Sequence, residues 1–202
     1  PNGLWLGLFA DSDFAGDRSD LKSTSGVFLA LMGRHTFFPL GACSKKQGAA
    51  SHSSPEAELV ALDLAVRTLG IPAVELWKVI LEYEPQLVLY EDNQAAATIG
   101  KSGKSMKLRH VKRVHGISIT SLHDWYTSKL FQLYDCHTRA QCADIFTKHF
   151  TKPAAWKHAV TLIGMVDGNT AKHLLSNRSK DGSSNITGKK HTKAAAARMT
   201  TS

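Results

Sequence analysis

The sequence predicts an α/β domain built on a mixed sheet of five strands flanked by helices. Three observations predict it. Three apolar runs of strand length follow one another near the start of the chain. The hydrophobic period becomes helical after Ser54 and returns to strand-like runs twice, at 86–91 and 130–134. Each of these later runs is reached through a helical stretch, the pattern that adds parallel strands by right-handed crossover to an antiparallel start.

The elements follow in order. Leu4 to Asp11 is apolar until its last residue, the composition of a strand buried on both faces and closed by an acid. Ser12 to Thr24 is polar and turn-rich. Ser25 to Met32 forms a second strand, Gly33-Arg34 a hairpin turn, and Thr36 to Cys43 a third strand, with Pro39 marking an edge or a bulge. Ser54 is placed as an N-cap with Pro55 at the first helical position. Leu59, Leu62, Val66 and Leu69 recur at helical spacing, so a helix is expected over about 55–69. Gly70-Ile-Pro72 reads as its break, and a second helix covers roughly 72–83. Gln86 to Glu91 is the fourth strand, and Asp92-Asn93 caps a short helix ending near Ile99. A long helical stretch over about 106–125 precedes the fifth strand, Leu130 to Tyr134. Helices are then expected over Ala140–Phe150 and Pro153–Met165.

This organisation predicts one domain over 1–150, a helical extension over 151–168 and a basic, disordered tail over 169–202, where hydrophobicity is low and periodicity fails. No apolar run reaches the roughly 18 residues of a membrane span. A chain that opens at Pro1 and runs almost at once into a strand reads as a segment of a longer polypeptide. The cysteines are three, Cys43, Cys136 and Cys142. An odd, small number argues for a reducing compartment, and Cys136, His137, Cys142 and His115 match no strong zinc spacing. The net charge of +8 is uneven: residues 1–150 carry 16 Lys and Arg against 15 Asp and Glu, residues 151–202 nine against two.

Acids stand where strands and helices begin or end. Asp11 closes the first strand and Asp92 follows the fourth, with Glu58 near the start of a helix and Asp144 near the start of a later one. Open α/β sheets hold ligands at such strand ends. Carboxylates gathered in one cleft repel unless cations neutralise them, and Mg²⁺ prefers such hard oxygen ligands. Two such ions can clamp a phosphodiester. Asp13 and Glu56 are equally eligible on position alone.

Six stretches together resemble the ribonuclease H domain of copia-type long-terminal-repeat retrotransposons. They are Asp11-Ser-Asp13-Phe-Ala-Gly16-Asp17, Lys22-Ser-Thr-Ser-Gly26, Ser44-Lys-Lys-Gln47, Ser53-Ser-Pro-Glu-Ala-Glu-Leu-Val-Ala-Leu62, Asp92-Asn-Gln-Ala95 and Gln141-Cys-Ala-Asp-Ile-Phe-Thr-Lys148. The resemblance runs from about Leu6 to Phe150. It implies a ribonuclease H-like fold and two-metal hydrolysis of the RNA strand of RNA–DNA hybrids. It implies ligation of two Mg²⁺, or Mn²⁺, by Asp11, Glu58, Asp92 and Asp144, selecting Asp11 over Asp13 and Glu58 over Glu56. It also implies reverse transcriptase and integrase parts upstream in one Pol polyprotein, and a place in a cytoplasmic virus-like particle or the nucleus. Ribonucleases H often carry a mobile His before the last Asp, and His137 is the nearest candidate for that proton shuttle. The chain departs from the family at Phe14, at Pro55, at His149-Phe150 and at Leu108-Arg-His-Val-Lys112, with a shifted second histidine at His115.

No acid occurs from Asn93 to His123, while Lys101, Lys104, Lys107, Arg109, Lys112 and Arg113 put six positive charges in 13 residues. That density suits phosphate contacts, which His110 and His115 would join. Ser23, Thr24, Ser44, Asn93 and Gln94 are further candidates for hydrogen bonds to sugar or phosphate. Two other readings compete: a catalytically silent nucleic-acid-binding module of the same fold, and an integrase-like nuclease, which would favour an Asp–Asp–Glu set.

Overall fold

The computed structural model of the chain describes residues 3–17 and 19–166. The tail expected over 169–202 lies outside the described residues. Strands β1 (Trp5–Ser12), β2 (Thr24–Gly33) and β3 (Thr36–Lys46) form an antiparallel meander. Strand β4 (Gln86–Glu91) then pairs parallel to β1, and β5 (Gln132–Asp135) parallel to β4, in the order β3-β2-β1-β4-β5. This is the five-stranded mixed sheet flanked by helices expected of a ribonuclease H-like fold. It puts β1 at the centre, and the apolar composition of β1 follows: its residues from Leu6 to Ser12 are all buried.

The two faces of the sheet have different covers. Leu6, Leu8 and Ala10 pack with Leu59, Leu62 and Val66 from the helical side. Phe9, Phe28 and Met32 point the other way and pack with Cys142 and Ala143. Strand alternation sorts the side chains between these faces.

Several local expectations are corrected. The hairpin turn is Arg34-His35, because Gly33 is still paired with Thr36. A Cβ on Gly33 would lie 2.7 Å from Leu4 Cδ2, so glycine serves close packing there. Pro39 sits on the edge strand, where the β2–β3 register also slips between Leu29 and Ala30. Helix α1 (Ser54–Ala65) begins one residue earlier than expected. Ser54 does not cap it; its Oγ instead accepts a hydrogen bond from Asn93 Nδ2 at 3.1 Å.

Gly70-Ile-Pro72 does not break the helix. A π turn (Val66–Gly70) carries α1 into α2 (Ile71–Leu81), with the Ile71 N–H donating to Val66 O. This wider turn shifts the ladder just where Pro72 lacks a donor. Gly70 keeps right-handed helical angles. A Cβ there would meet Leu8 Cδ2 and Leu87 Cδ2, each at 3.0 Å, so the glycine lets the helix lie close on the sheet.

After β4 come α3 (Gln94–Ser102), α4 (Val111–His115) and α5 (Ile119–Thr127). The helix expected over 106–125 is therefore divided. Gly116, at φ 71°, ends α4, and the Ser118 side chain caps α5 by accepting the Ser121 N–H. The helix expected over 140–150 is two 3₁₀ turns, Thr138–Ala140 and Cys142–Phe146. Between them the buried Gln141 donates to Ala10 O at 2.8 Å and accepts the Ala143 N–H, so side-chain bonds to β1 replace a helical ladder. Helix α6 (Pro153–Leu162) follows. No helix among the described residues is long and apolar enough to cross a membrane.

Candidate active site

Strands β1 and β4 run side by side, in register from Trp5 opposite Gln86 to Phe9 opposite Tyr90. Continuing that register by two residues brings Asp11 beside Asp92. Asp11 shares the face of Phe9, whose ring stacks on Tyr90 at 4.6 Å. Ser12 and Glu91 alternate toward the face of α1. The cap of α3 is Asn93, whose Oδ1 accepts the Ala95 and Ala96 N–H groups. Asp92 is thereby left free of capping.

Asp144 arrives from the 3₁₀ turn, which lies against β2. The contact depends on Gly26, the ladder partner of Asp11. A Cβ on Gly26 would stand 2.6 Å from Thr147 Cγ2 and 2.9 Å from Ala143 O. Ser44 Oγ donates to Phe146 O at 2.7 Å and ties the same turn to β3. One oxygen each from Asp11, Asp92 and Asp144 thus lies within 4.8 Å of the others, the one such grouping among the described residues.

The cluster is short of positive charge. Burial pushes the Asp11 carboxyl up from 3.8 to about 6, against the Lys148 ammonium and the Thr147 hydroxyl, while Asp144 and Asp92 add to the rise. The Thr147 hydroxyl donates to Asp11 Oδ2. Lys148 Nζ lies 3.6 Å from Asp11 Oδ1 and 2.6 Å from Asp144 Oδ1. Burial also raises the Asp144 carboxyl, opposed by Lys148. For Lys148 itself, burial favours the neutral amine, but Asp11 and Asp144 outweigh it and hold the pKa above the ordinary value. Sequence reading assigned no role to Thr147 or Lys148. The Asp144–Lys148 spacing of four residues was the available signal.

Glu58 stands outside the three-carboxylate grouping, on the α1 side. It is buried, and its Oε2 has no hydrogen-bond partner. Burial raises its pKa most, with the charges of Glu91 and Asp11 adding to it. Ser12 Oγ lies near enough to favour the ionised form but makes no hydrogen bond of good geometry. Glu91 is a fifth acid that sequence reading took only as a strand residue. Its Oε1 accepts the Asn93 N–H at 2.9 Å, its Oε2 has no partner, and burial lifts its pKa well above the ordinary range. Two orphaned carboxyl oxygens beside three clustered carboxylates make an all-oxygen donor set that fits Mg²⁺ or Mn²⁺. Burial pushes the Cys136 thiol up to about 12 and raises that of Cys142 as well, so both are protonated at neutral pH.

Asp13 is engaged as a turn acceptor, its Oδ1 taking the Thr24 N–H. Glu56 is fully buried, and its carboxylate is bonded by His52, His110 and His115 rather than joining the acid cluster. Burial would raise its pKa, but the His52 N–H and the imidazoles of His110 and His115 hold it below the ordinary range. The two rings place Nε2 at 3.1 and 2.9 Å from Glu56 Oε1. The His115 side chain is 1% exposed, so it cannot meet a phosphate as expected; His110 also spends its Nε2 on Glu56.

The other expected nucleic-acid contacts divide similarly. Lys104, Lys107, Arg109, Lys112, Arg113 and Gln94 are exposed, and Lys101 and Thr24 half-buried. Ser23 is buried with its Oγ accepting the Ala15 N–H, so it presents nothing to a ligand. Asn93 is committed to capping and to Ser54. His137 is exposed and caps the first 3₁₀ turn, its Nδ1 accepting the Arg139 N–H. The imidazole whose charge bears on Asp144 is that of His158, which bonds Arg139 O at 2.7 Å.

No protein-family model matches the chain. Among solved structures it is similar to LC11 ribonuclease H1, isolated from compost by a metagenomic approach, at 14% identity over 71% of this chain and 92% of that one, with a TM-score of 0.44. It is similar to the N-terminal ribonuclease H domain of a Mycobacterium tuberculosis protein, solved as a fusion with maltose-binding protein, at 13% identity over 79% and 98%, with a TM-score of 0.46. It is also similar to the protease-reverse transcriptase of prototype foamy virus, at 12% identity over 82% of this chain and 21% of that one, with a TM-score of 0.38. The chain spans about a fifth of that viral polypeptide.

Proposed function

We propose that this chain is a metal-dependent endonuclease that hydrolyses the RNA strand of RNA–DNA hybrids, as the ribonuclease H part of a retrotransposon Pol polyprotein with reverse transcriptase and integrase upstream. The observation that carries the reading is the convergence of Asp11, Asp92 and Asp144 within 4.8 Å of one another at the ends of two adjacent parallel strands. A divalent cation such as Mg²⁺ held there would supply positive charge against a phosphodiester and lower the pKa of an attacking water. Asp11, Asp92 and Asp144 would hold the ions, and Glu58, with its unpaired Oε2, would complete the donor set. Lys148 offsets part of the negative charge of the cluster. The cations from Lys104 to Arg113 hold the strand backbone.

The test is cleavage of an end-labelled RNA–DNA hybrid in Mg²⁺ by the chain and by its Asp92→Asn variant, with single-stranded RNA and duplex DNA as controls. Cutting confined to the hybrid's RNA and lost in the variant is expected. Cutting of duplex DNA instead would favour an integrase-like nuclease. A second reading, a silent binding module, has one observation in its favour: Lys148 already gives Asp11 and Asp144 a counter-charge without a metal. Folded protein that binds the hybrid and Mg²⁺ without cutting would establish that reading.

A further inference from the structure

Glu56 is an unusual buried acid, because the carboxylate cluster makes no use of it. Its carboxylate is closed off from solvent, and all three of its hydrogen bonds come from outside its own helix. Two of them are from His110 and His115, which bracket α4. Glu56 is also two residues from Glu58 on α1. One side chain therefore joins the helix that carries a candidate metal ligand to the segment that carries the densest positive charge.

That segment has a shape of its own. A cleft of about 210 Å³ is lined by Ser105, Arg109, Lys112, Ser118 and Thr120 among others. Two cations and three hydroxyls are the donors that phosphodiester oxygens accept from. Leu108, Val111 and Ile117 anchor the segment's apolar side in the core, and Glu56 anchors its polar side.

We propose that the Glu56–His110–His115 triad is a positioning device for nucleic-acid binding: it fixes the cleft of Arg109 and Lys112 at a set distance from the acidic cluster, so that a strand held there by one phosphate presents a second, defined phosphodiester to the carboxylates. The inference rests on the proposed nuclease reading. Glu56, His110 and His115 are positioning residues. The groups that touch the nucleic acid are Arg109, Lys112 and the hydroxyls.

The test is a double-mutant cycle on hybrid binding, read by fluorescence anisotropy with Ca²⁺ in place of Mg²⁺ and over a series of salt concentrations. In the otherwise unchanged chain, Arg109→Ala with Lys112→Ala is expected to weaken binding about tenfold and to reduce the salt slope by about 1–2, as for one or two lost phosphate contacts. In a Glu56→Gln background the same pair is expected to cost less than about twofold, because the cleft is already misplaced. His110→Leu serves the same purpose if Glu56→Gln does not unfold cooperatively. A His115→Gln background, which keeps a donor at the position of Nε2, is expected to retain the full cost of the Arg109 and Lys112 pair. Additive losses would overturn the inference and leave the triad a structural bond. Failure of the unchanged chain to bind hybrid at all would overturn the nuclease reading, and this inference with it.

Discussion

Neutralising Asp11 should make the metal-free protein more stable, and the gain should depend on pH. On folding, the Asp11 carboxyl rises from 3.8 to about 6, chiefly through burial. The folded state therefore binds this proton more tightly than the unfolded state. The stability tied to it is fully present below about pH 4 and is lost as pH rises through about 6. At about 1.4 kcal/mol per pH unit, an ionised Asp11 costs the folded protein on the order of 3 kcal/mol at pH 8. Asparagine has nearly the shape of the protonated acid and does not titrate. Asp11→Asn should therefore match the unchanged chain near pH 4 and exceed it by about 2–3 kcal/mol at pH 8 in EDTA, or about 4–12 °C in midpoint for a domain of this size. Urea unfolding followed by the fluorescence of the four tryptophans measures it. Saturating Mg²⁺ should close most of that gap, since an ion at 100 times its Kd adds about 2.7 kcal/mol to the chain that binds it. A variant no more stable than the unchanged chain at pH 8 in EDTA, or a gain equal at pH 4 and pH 8, would refute the account of Asp11 as a buried, undercompensated acid.

Gly26→Ala should displace the turn over Cys142–Phe146, because its Cβ would fall 2.9 Å from Ala143 O. The expected cost is about 1–3 kcal/mol in urea unfolding, together with slower hybrid cleavage as Asp144 moves away from Asp11. Lys148→Met should lower the metal-free midpoint at pH 8 by removing the counter-charge of Asp11 and Asp144, and should tighten Mg²⁺ binding in calorimetry because no ammonium competes for their oxygens. Unchanged Mg²⁺ affinity would mean that Lys148 is not seated where an ion binds.

Much of the architecture was legible in the chain because period and chain order are local properties. Three apolar runs in succession followed by two helix-linked strands allowed one simple arrangement, an antiparallel meander extended by parallel crossovers, and the sheet has it. The acids at the ends of β1 and β4 could be paired for the same reason: once those strands are neighbours, Asp11 and Asp92 meet. Helix boundaries were less legible. Gly70 and Pro72 carry the composition of a break, yet a π turn absorbs the missing donor and the sheet below needs the absent Cβ. Residues 140–150 look helical, but Gln141 exchanges the helical ladder for bonds to β1.

The sequence by itself determined the order of the strands, the apolar centre and which residues carry acid or base, since these depend on spacing and residue type along the chain. Tertiary structure alone decided how the acids divide. Strand alternation sends Asp11 to one face and Glu91 to the other, and the packing of α1 on the sheet adds Glu58, so that two buried carboxyls lie behind the three that cluster. It also decided that Lys148 joins the carboxylates while His110 and His115 turn inward to Glu56. Several of those outcomes depend on contacts between residues far apart in the chain, 54 positions for Glu56 and His110 and 137 for Asp11 and Lys148, and on burial, which sets the strength and sign of each charge's effect and which no local pattern encodes.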